Sequence, residues 1–217
     1  MHLSACLSTL LTASLVLASP TPVEKRQSSC SAVGISAQSS TRVVNAFQSS
    51  EVVSDLVPPL QPKVAVNVAY GNKQVNLGNV FQVTKTLTAP KLSFSAEQGR
   101  DPAGTKYSYF LVDPDVPSEE GVLGVRVNYL HWAVSDAQPS CIADQSPSTD
   151  TIYQSLTPAS TTRHRYTFLV YRQPADYTPD LVPLQVRAAF DINAYAARKG
   201  LELVGGNFLR EALTDLA

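Results

Sequence analysis

Two aspartates and a histidine occur in apolar parts of the sequence, where charged groups are unusual. Asp113 and Asp115 follow an apolar run and are separated by Pro114, and His131 lies in a second apolar segment, NYLHWAV at 128–134. Proline fixes φ at about −65° and has no N–H, so the loop is predicted to be stiff. Two carboxylates on a stiff loop beside a histidine predict a small polar pocket.

A second histidine can join this pocket. His164 lies in the segment RHRYTFLVY, where a loop enters a predicted strand, and Tyr166 lies two residues further on the same face of that strand. A buried histidine needs a partner for its ring nitrogens, so Asp113 and Asp115 are the best candidates to pair with the histidines. Taken singly, each histidine is better explained by a structural role, and each aspartate is explained equally well by one.

Most of the chain has the two-residue period of β-strands. Several strands at uneven spacing, without alternating helices, predict an antiparallel β-sandwich. The predicted strands cover residues 64–70, 106–113, 129–135, 165–171 and 183–190.

Helical periodicity is confined to short peripheral and C-terminal segments. A helix is expected at 41–49 with Ser40 as its cap, and another at 191–199, ended by Gly200. A further short helix is expected at 207–215. The segment at 136–162, between the third and fourth strands, is expected to form surface loops.

The N-terminus has the pattern of a secreted precursor. Residues 1–19 are expected to be a signal peptide, too short to span a bilayer, and residues 20–26 a pro-segment ending at a dibasic site. Residues 27–40 are expected to form a flexible arm, and residues 41–217 a single domain. No other apolar stretch reaches transmembrane length. The net charge of −1 does not favour nucleic acid as a partner.

Two cysteines remain after removal of the signal peptide, which carries Cys6. In an oxidising compartment Cys30 and Cys141 are candidates for a disulfide, and two unpaired thiols are the alternative.

Three ordered motifs, DPDVPS, LHWAV and HRYTFLVY, resemble those of the phosphatidylethanolamine-binding protein (PEBP) family. The LGN element at 77–79 and the segment FDINAYAARKGLELVGGNF at 190–208 extend the resemblance over most of residues 40–210. It implies a central antiparallel β-sandwich with short peripheral helices and a small anion pocket at one edge. Together with the secretory signals, it suggests a secreted, fungal-type member.

The resemblance also implies which residues form the pocket. The expected ligand-binding residues are Asp113, Asp115, His131, His164 and Tyr166. The rim residues would be Pro158, in a segment that replaces a Gly-rich element of relatives, Phe208, in place of a tyrosine of some members, and Trp132.

The function expected from these residues is binding without catalysis, with no cofactor and no metal. The ligand would be a phosphorylated small molecule or a phospholipid head group. The alternative is inhibition of a serine carboxypeptidase through protein contacts that involve the arm at 27–40. A hydrolase is less favoured because the sequence has neither a GxSxG nor an HExxH motif.

Overall fold

The computed structural model describes Cys30, residues 34–117 and residues 126–215. The expected signal peptide and pro-segment lie outside the described residues, as does most of the first part of the expected arm. Along the chain the elements are α1 (Ala37–Ser49), α2 (Val52–Asp55), β1 (Val66–Tyr70), β2 (Lys73–Gln74), β3 (Asn79–Val80), β4 (Lys91–Phe94), β5 (Tyr107–Pro117), β6 (Arg126–Ala137), β7 (Ser148–Thr151), β8 (His164–Arg172), α3 (Leu181–Gln185), α4 (Ile192–Lys199) and β9 (Glu202–Glu211).

The strands form two sheets that pack face to face. The larger sheet has the order β3-β9-β8-β5-β6-β7, and the smaller one has the order β2-β1-β4. Neighbouring strands are antiparallel throughout, except that β3 and β9 are parallel. The predicted mostly-β, antiparallel sandwich is therefore confirmed.

The larger sheet is covered on both faces, which explains the continuous apolar runs of its central strands. On β5, Tyr109 and Leu111 pack in the cluster between the two sheets, whereas Phe110 and Val112 pack in a second cluster with α1 and α4. The alternation of side chains along a strand divides them in this way. The carboxylate of Asp113 thus follows directly from the most buried part of the molecule.

Two helix boundaries follow from capping groups. The first helix begins at Ala37 rather than at 41, because Ser36, not Ser40, accepts the N–H of Ser39. The helix predicted at 191–199 is confirmed as α4, which ends where Gly200 adopts a left-handed φ of 63°.

Two predicted elements are wrong. Residues 183–190 do not form a strand: α3 occupies the first part, and Ala188 alone makes a bridge to Tyr129. Pro183 explains this, since it cannot donate to a sheet but is tolerated in the first turn of a helix. Residues 207–215 are not a helix, because β9 runs to Glu211 and pairs with the whole of β8.

The segment expected to consist of loops contains one short strand, β7, which pairs with β6 at the edge of the larger sheet. Near the start of this segment, before β7, Cys141 forms a disulfide with Cys30. The bridge favoured by the sequence is therefore present, and it fastens the N-terminal segment to the body of the domain.

Candidate functional site

The two prolines of the DPDVP segment lie in the extended strand β5, not in a loop. Pairing between β5 and β6 is interrupted between Asp113–Tyr129 and Val116–Val127, and it resumes before Pro117. Pro114 lies in the interrupted stretch, where its missing N–H costs no ladder hydrogen bond. Asp113 lies on the same face of β5 as Leu111, as alternation requires, and the interruption changes the direction only of the residues that follow it.

Asp113 and His164 form a buried pair at the centre of the site. His164 Nδ1 lies 2.7 Å from Asp113 Oδ2, and the two residues are 3% and 1% exposed. The other oxygen of Asp113 accepts the backbone N–H of Asp115 at 2.8 Å. Both carboxylate oxygens are therefore satisfied, which is what a buried charge requires.

The second ring nitrogen and the pKa of His164 are also set by neighbours. Nε2 lies 3.1 Å from the hydroxyl of Ser160. Burial by itself would lower the pKa of His164, but the hydrogen bond and the charge of Asp113 outweigh it and raise the pKa above its usual value. His164 is thus the residue of the site that most readily carries a positive charge.

His131 reaches the site through a β-bulge. On β5, Leu111 pairs with Trp132 and the next residue, Val112, pairs with Leu130, so His131 has no partner on that strand. Bulges of this kind re-aim a side chain. The His131 ring therefore packs edge-to-face on Tyr166, with the ring centroids 5.2 Å apart.

The environment of His131 keeps its ring neutral. Burial lowers the pKa of His131, and the charge of Asp113 and the hydrogen bond to Gln154 offset this only in part. Nδ1 lies 3.1 Å from the carbonyl oxygen of Gln154, which can only accept, so Nδ1 carries the proton. In the neutral ring, Nε2 is then an acceptor.

Tyr166 completes the group. It is 1% exposed, and its ring stacks on that of His164 at 6.1 Å. Burial, followed by the charges of Asp113 and Glu211, raises the pKa of the Tyr166 hydroxyl, which therefore stays protonated and available as a donor.

One cavity of about 200 Å³ is lined by the side chains of Asp113, His131, His164 and Tyr166. Pro158, predicted at the rim, also lines it. An imidazolium and a phenol hydroxyl are hydrogen-bond donors suited to anionic oxygens, and the cavity is small. The remaining lining residues are Val116, Pro117, Tyr129, Gln154, Thr157 and Ala159.

The structure does not bring Asp115 into this cavity, although it was predicted as a ligand-binding residue. Its carboxylate faces Arg165 instead, accepting from the backbone N–H, Nε and Nη2 of that residue at 2.7–2.8 Å, and it also accepts from Arg126. Burial alone would raise the pKa of Asp115, but the hydrogen bonds and charge of Arg165 lower it below its usual value. Regular alternation would put Asp113 and Asp115 on one face of β5, so the interrupted pairing between Asp113 and Val116 is what sends them to different partners.

Two predicted rim residues also lie elsewhere. Trp132 packs against Tyr109 and Tyr153 beside the cluster between the sheets. Phe208 is fully buried on the opposite face of the larger sheet, against Phe47. Neither residue lines the cavity.

Sequence reasoning missed four polar residues at the site: Tyr129, Gln154, Ser160 and Glu211. Tyr129 donates to the Gln154 side chain at 3.0 Å, which closes one wall of the cavity. Tyr129 lies two residues before His131 in a predicted strand, and this spacing was the one signal that could have identified it. The other three depend on loops or on the strand β9, which the sequence did not predict.

Glu211 lies beneath the site on β9, opposite His164 in the register with β8. It is fully buried, Thr86 donates to its Oε2 at 2.8 Å, and its Oε1 has no hydrogen-bond partner. Burial raises the pKa of Glu211 to about 7. An unpaired oxygen is consistent with a carboxyl group that stays protonated in the folded protein.

Among the described residues, no three histidine, cysteine, aspartate or glutamate side chains converge to form a metal site. None of the helices in that part of the chain is both long and apolar enough to cross a membrane.

Comparison with known sequences gives a consistent family match. The family described as "Phosphatidylethanolamine-binding protein" matches residues 71–213. The chain is 34% identical over 172 residues to the "26 kDa secreted antigen" of Toxocara canis, covering 76% of this chain and 62% of that protein. It is 29% identical over 124 residues to "Protein FLOWERING LOCUS T" of Arabidopsis thaliana, covering 57% and 66%. The chain thus spans less than two thirds of the length of these relatives.

Comparison with solved structures shows the same fold. A carboxypeptidase Y inhibitor, solved in complex with its cognate proteinase, superposes with a TM-score of 0.64 at 19% identity, covering 80% of this chain and 96% of the inhibitor. The phosphatidylethanolamine-binding protein of Plasmodium vivax superposes with a TM-score of 0.64 at 20% identity, covering 78% and 96%. At these identities the likeness is one of fold alone.

Proposed function

Since the chain belongs to the phosphatidylethanolamine-binding protein family, we propose that its small cavity binds the phosphate of a phospholipid head group or of a phosphorylated small molecule. The observation that carries the proposal is the convergence of Asp113, His131, His164 and Tyr166 on one cavity of about 200 Å³. This volume is below the 300–1,000 Å³ that is typical of sites for drug-sized ligands. The cavity would therefore take a head group and leave any acyl chains outside.

The charges of the site suit an anion despite the presence of a carboxylate. Asp113 is paired with His164 and with a backbone N–H, so its charge is compensated before any ligand arrives. The raised pKa of His164 favours the imidazolium, which attracts phosphate. The hydroxyl of Tyr166 adds a donor at the same cavity.

The test is a titration with inorganic phosphate and with phosphoethanolamine, following the C2–H signals of His131 and His164 by NMR. Both signals should shift and saturate together, because both rings line the cavity. Binding should weaken as the pH rises through the raised pKa of His164, since the imidazolium is then lost. Before ligand is added, His164 should titrate at a higher pH than His131.

Asp113→Asn is the decisive variant, because the asparagine cannot supply the charge that holds His164 in its protonated form. We expect the pKa of His164 to fall and phosphate binding to be lost, while thermal unfolding shows that the variant still folds. Asp144→Asn, at an exposed carboxylate, is the matched control and should bind as the parent does. Silent histidines in the parent protein would contradict the proposal.

The site of action would be extracellular. The Cys30–Cys141 disulfide is typical of an oxidising compartment, and one relative is described as a secreted antigen. Secretion is tested by recovering the processed protein from culture medium. The fungal-type source expected from the sequence stays a prediction.

The proposed role is binding without catalysis, and its check is that phosphoethanolamine stays intact during long incubation with the protein. Carboxypeptidase inhibition is the alternative expected from the sequence. It is not the leading proposal because no contact of the described residues singles out a peptidase-binding surface. An assay of carboxypeptidase activity in the presence of the protein tests it.

A further inference from the structure

A second cavity, of about 680 Å³, shares His164 and Pro117 with the small one but is otherwise built from different residues. Four arginines line it: Arg126, Arg163, Arg165 and Arg210. We call this cavity the arginine groove. Hydroxyl side chains from the start of the segment after α1 and from the loop before β8 line the rest of it, including Ser50 and Ser160.

Arginines outnumber carboxylates in the lining of the groove. The four arginines face two lining carboxylates, Asp115 and Glu51. Asp115 is shared by Arg126 and Arg165. Two carboxylates outside the lining also take part, since Asp55 pairs with Arg165 and Asp215 with Arg163.

Arg210 is the least neutralised of the four. Within the described part of the chain, no carboxylate lies within 4 Å of its guanidinium. It donates to the hydroxyl of Ser50 at 2.9 Å and lies 5.9 Å from the centre of the Phe208 ring. These contacts hold the group in place without cancelling its charge.

The groove is held in shape from below. Arg165 is 7% exposed, and it donates to Asp115, to Asp55 and to the carbonyl oxygen of Ser50. It thereby joins β8 to α2 and to the end of α1. Its role is to position the wall rather than to contact a ligand.

The other arginines keep free donors. The side chains of Arg126 and Arg163 are 56% and 51% exposed. A guanidinium has five N–H donors, and the hydrogen bonds that Arg126 and Arg210 make within the described part of the chain use one nitrogen each. Several guanidinium groups around one space recognise phosphate oxygens well, and more than one phosphate at a time.

We propose that the arginine groove is a second anion site, for a small molecule or lipid head group that carries several phosphates and hydroxyls. The volume lies in the range of ordinary ligand sites and exceeds what a single phosphate needs. The hydroxyl groups of the wall match a hydroxylated ligand. The site is distinct from the small cavity, and it can be tested whether or not that cavity binds phosphate.

The shared residue provides the readout. His164 lines both cavities, whereas His131 lines only the small one. Titration of the protein with inositol 1,4,5-trisphosphate should therefore shift the NMR signal of His164 and leave that of His131 in place. Phosphoethanolamine in the small cavity should shift both.

Arg126→Gln combined with Arg210→Gln should weaken inositol trisphosphate binding by about tenfold or more, measured by calorimetry. Arg198→Gln is the matched control, because it removes an exposed arginine on α4 that lines neither cavity. Thermal unfolding should be unchanged in both variants, since neither Arg126 nor Arg210 is buried. Phosphoethanolamine binding in the small cavity should survive the double substitution.

A second arm distinguishes a lipid from a soluble ligand. Phosphatidylcholine vesicles with and without phosphatidylinositol 4,5-bisphosphate are sedimented with the protein. Retention that needs the bisphosphate and both arginines identifies a lipid head group, whereas binding of the free trisphosphate alone identifies a soluble ligand.

Three results would overturn the proposal. The first is that neither phosphorylated probe binds. The second is that binding is equally strong in the double variant. The third is that the trisphosphate shifts His131 together with His164 and competes with phosphoethanolamine, which would place it in the small cavity.

Discussion

The ionisable groups of the small cavity have pKa values that are shifted in different directions by their immediate neighbours. The carboxylate of Asp113 raises the pKa of His164, whereas burial lowers the pKa of His131. Burial also raises the pKa of Glu211 to about 7. The cavity can therefore combine one charged and one neutral imidazole, and the carboxyl group of Glu211 beneath it is protonated below neutral pH.

Glu211 should make the protein less stable as the pH rises. Its pKa in the folded state, about 7, is above the usual 4.5, so the folded protein holds a proton that the unfolded chain releases. The free energy of unfolding should decline between these two pH values, by up to about 3 kcal/mol. Glu211→Gln should remove this decline, as measured by urea unfolding across the pH range.

A matched variant isolates the effect. The stabilising contribution of His164 to the folded protein is also lost as the pH rises through its raised pKa. The informative quantity is therefore the difference in the free energy of unfolding between the variant and the parent. Glu51→Gln replaces an exposed glutamate and should keep the slope of the parent. A slope that is unaltered in Glu211→Gln would show that Glu211 is ionised in the folded protein throughout.

At the scale of elements, irregularities of strand pairing position the site. The bulge at His131 and the interrupted pairing after Asp113 both lie on the β5–β6 pair. The bulge lets His131 join Asp113 and Tyr166 on one face, and the interruption turns Asp115 away from that face, towards Arg165. A regular ladder would have kept Asp115 on the face of Asp113.

Strand β9 contains two glycines, Gly205 and Gly206, where other parts of the chain approach closely. A Cβ on Gly205 would lie 2.7 Å from Val64 Cγ2 and 2.9 Å from the Val64 carbonyl oxygen. Gly205→Ala should therefore force the backbones apart and destabilise the protein by about 1–3 kcal/mol. The measurement is the free energy of unfolding in urea.

Gly71→Asn is the control for this substitution. No atom lies within 4 Å of a Cβ at Gly71, and asparagine tolerates its left-handed φ of 57°. We expect a much smaller loss of stability there. A Gly205→Ala protein as stable as its parent would mean that β9 and the segment at Val64 can separate without cost.

At the scale of the whole molecule, the larger sheet is the centre, covered by the smaller sheet on one face and by helices on the other. The disulfide closes a long covalent loop, joining residues 111 positions apart. Cys141 follows the C-terminal end of β6, whereas His131 lies nearer the middle of that strand. Stability and ligand binding should therefore respond separately to the loss of the disulfide.

Replacing both cysteines, Cys30→Ser with Cys141→Ser, should lower the free energy of unfolding by about 2–5 kcal/mol, because the unfolded chain gains freedom. Phosphate binding at His131 and His164 should persist under conditions where the variant is folded. Reductant should destabilise the parent but not the variant. Loss of binding in a folded variant would show that the N-terminal segment shapes the cavity.

The parts of the fold that the sequence predicted are those with strong local patterns. The apolar runs that became β5, β6 and β8 are long and rich in aromatic and β-branched residues, and Gly200 ends α4 as expected. Strand β9 was missed because two adjacent glycines weaken its strand pattern. Its extended form follows from pairing with β8, which no local pattern reveals.

For the site, the sequence by itself determined the family and four of the side chains that meet: Asp113, His131, His164 and Tyr166. Motifs in a fixed order carry that information, because each residue sits in or next to a strand of strong pattern. Only the tertiary structure decided where the side chains depart from simple alternation, since bulges and interrupted pairing depend on the partner strand. For this reason Asp115 contacts Arg165 and lines the arginine groove rather than the small cavity. No sequence motif predicted that Glu211 would lie beneath the small cavity.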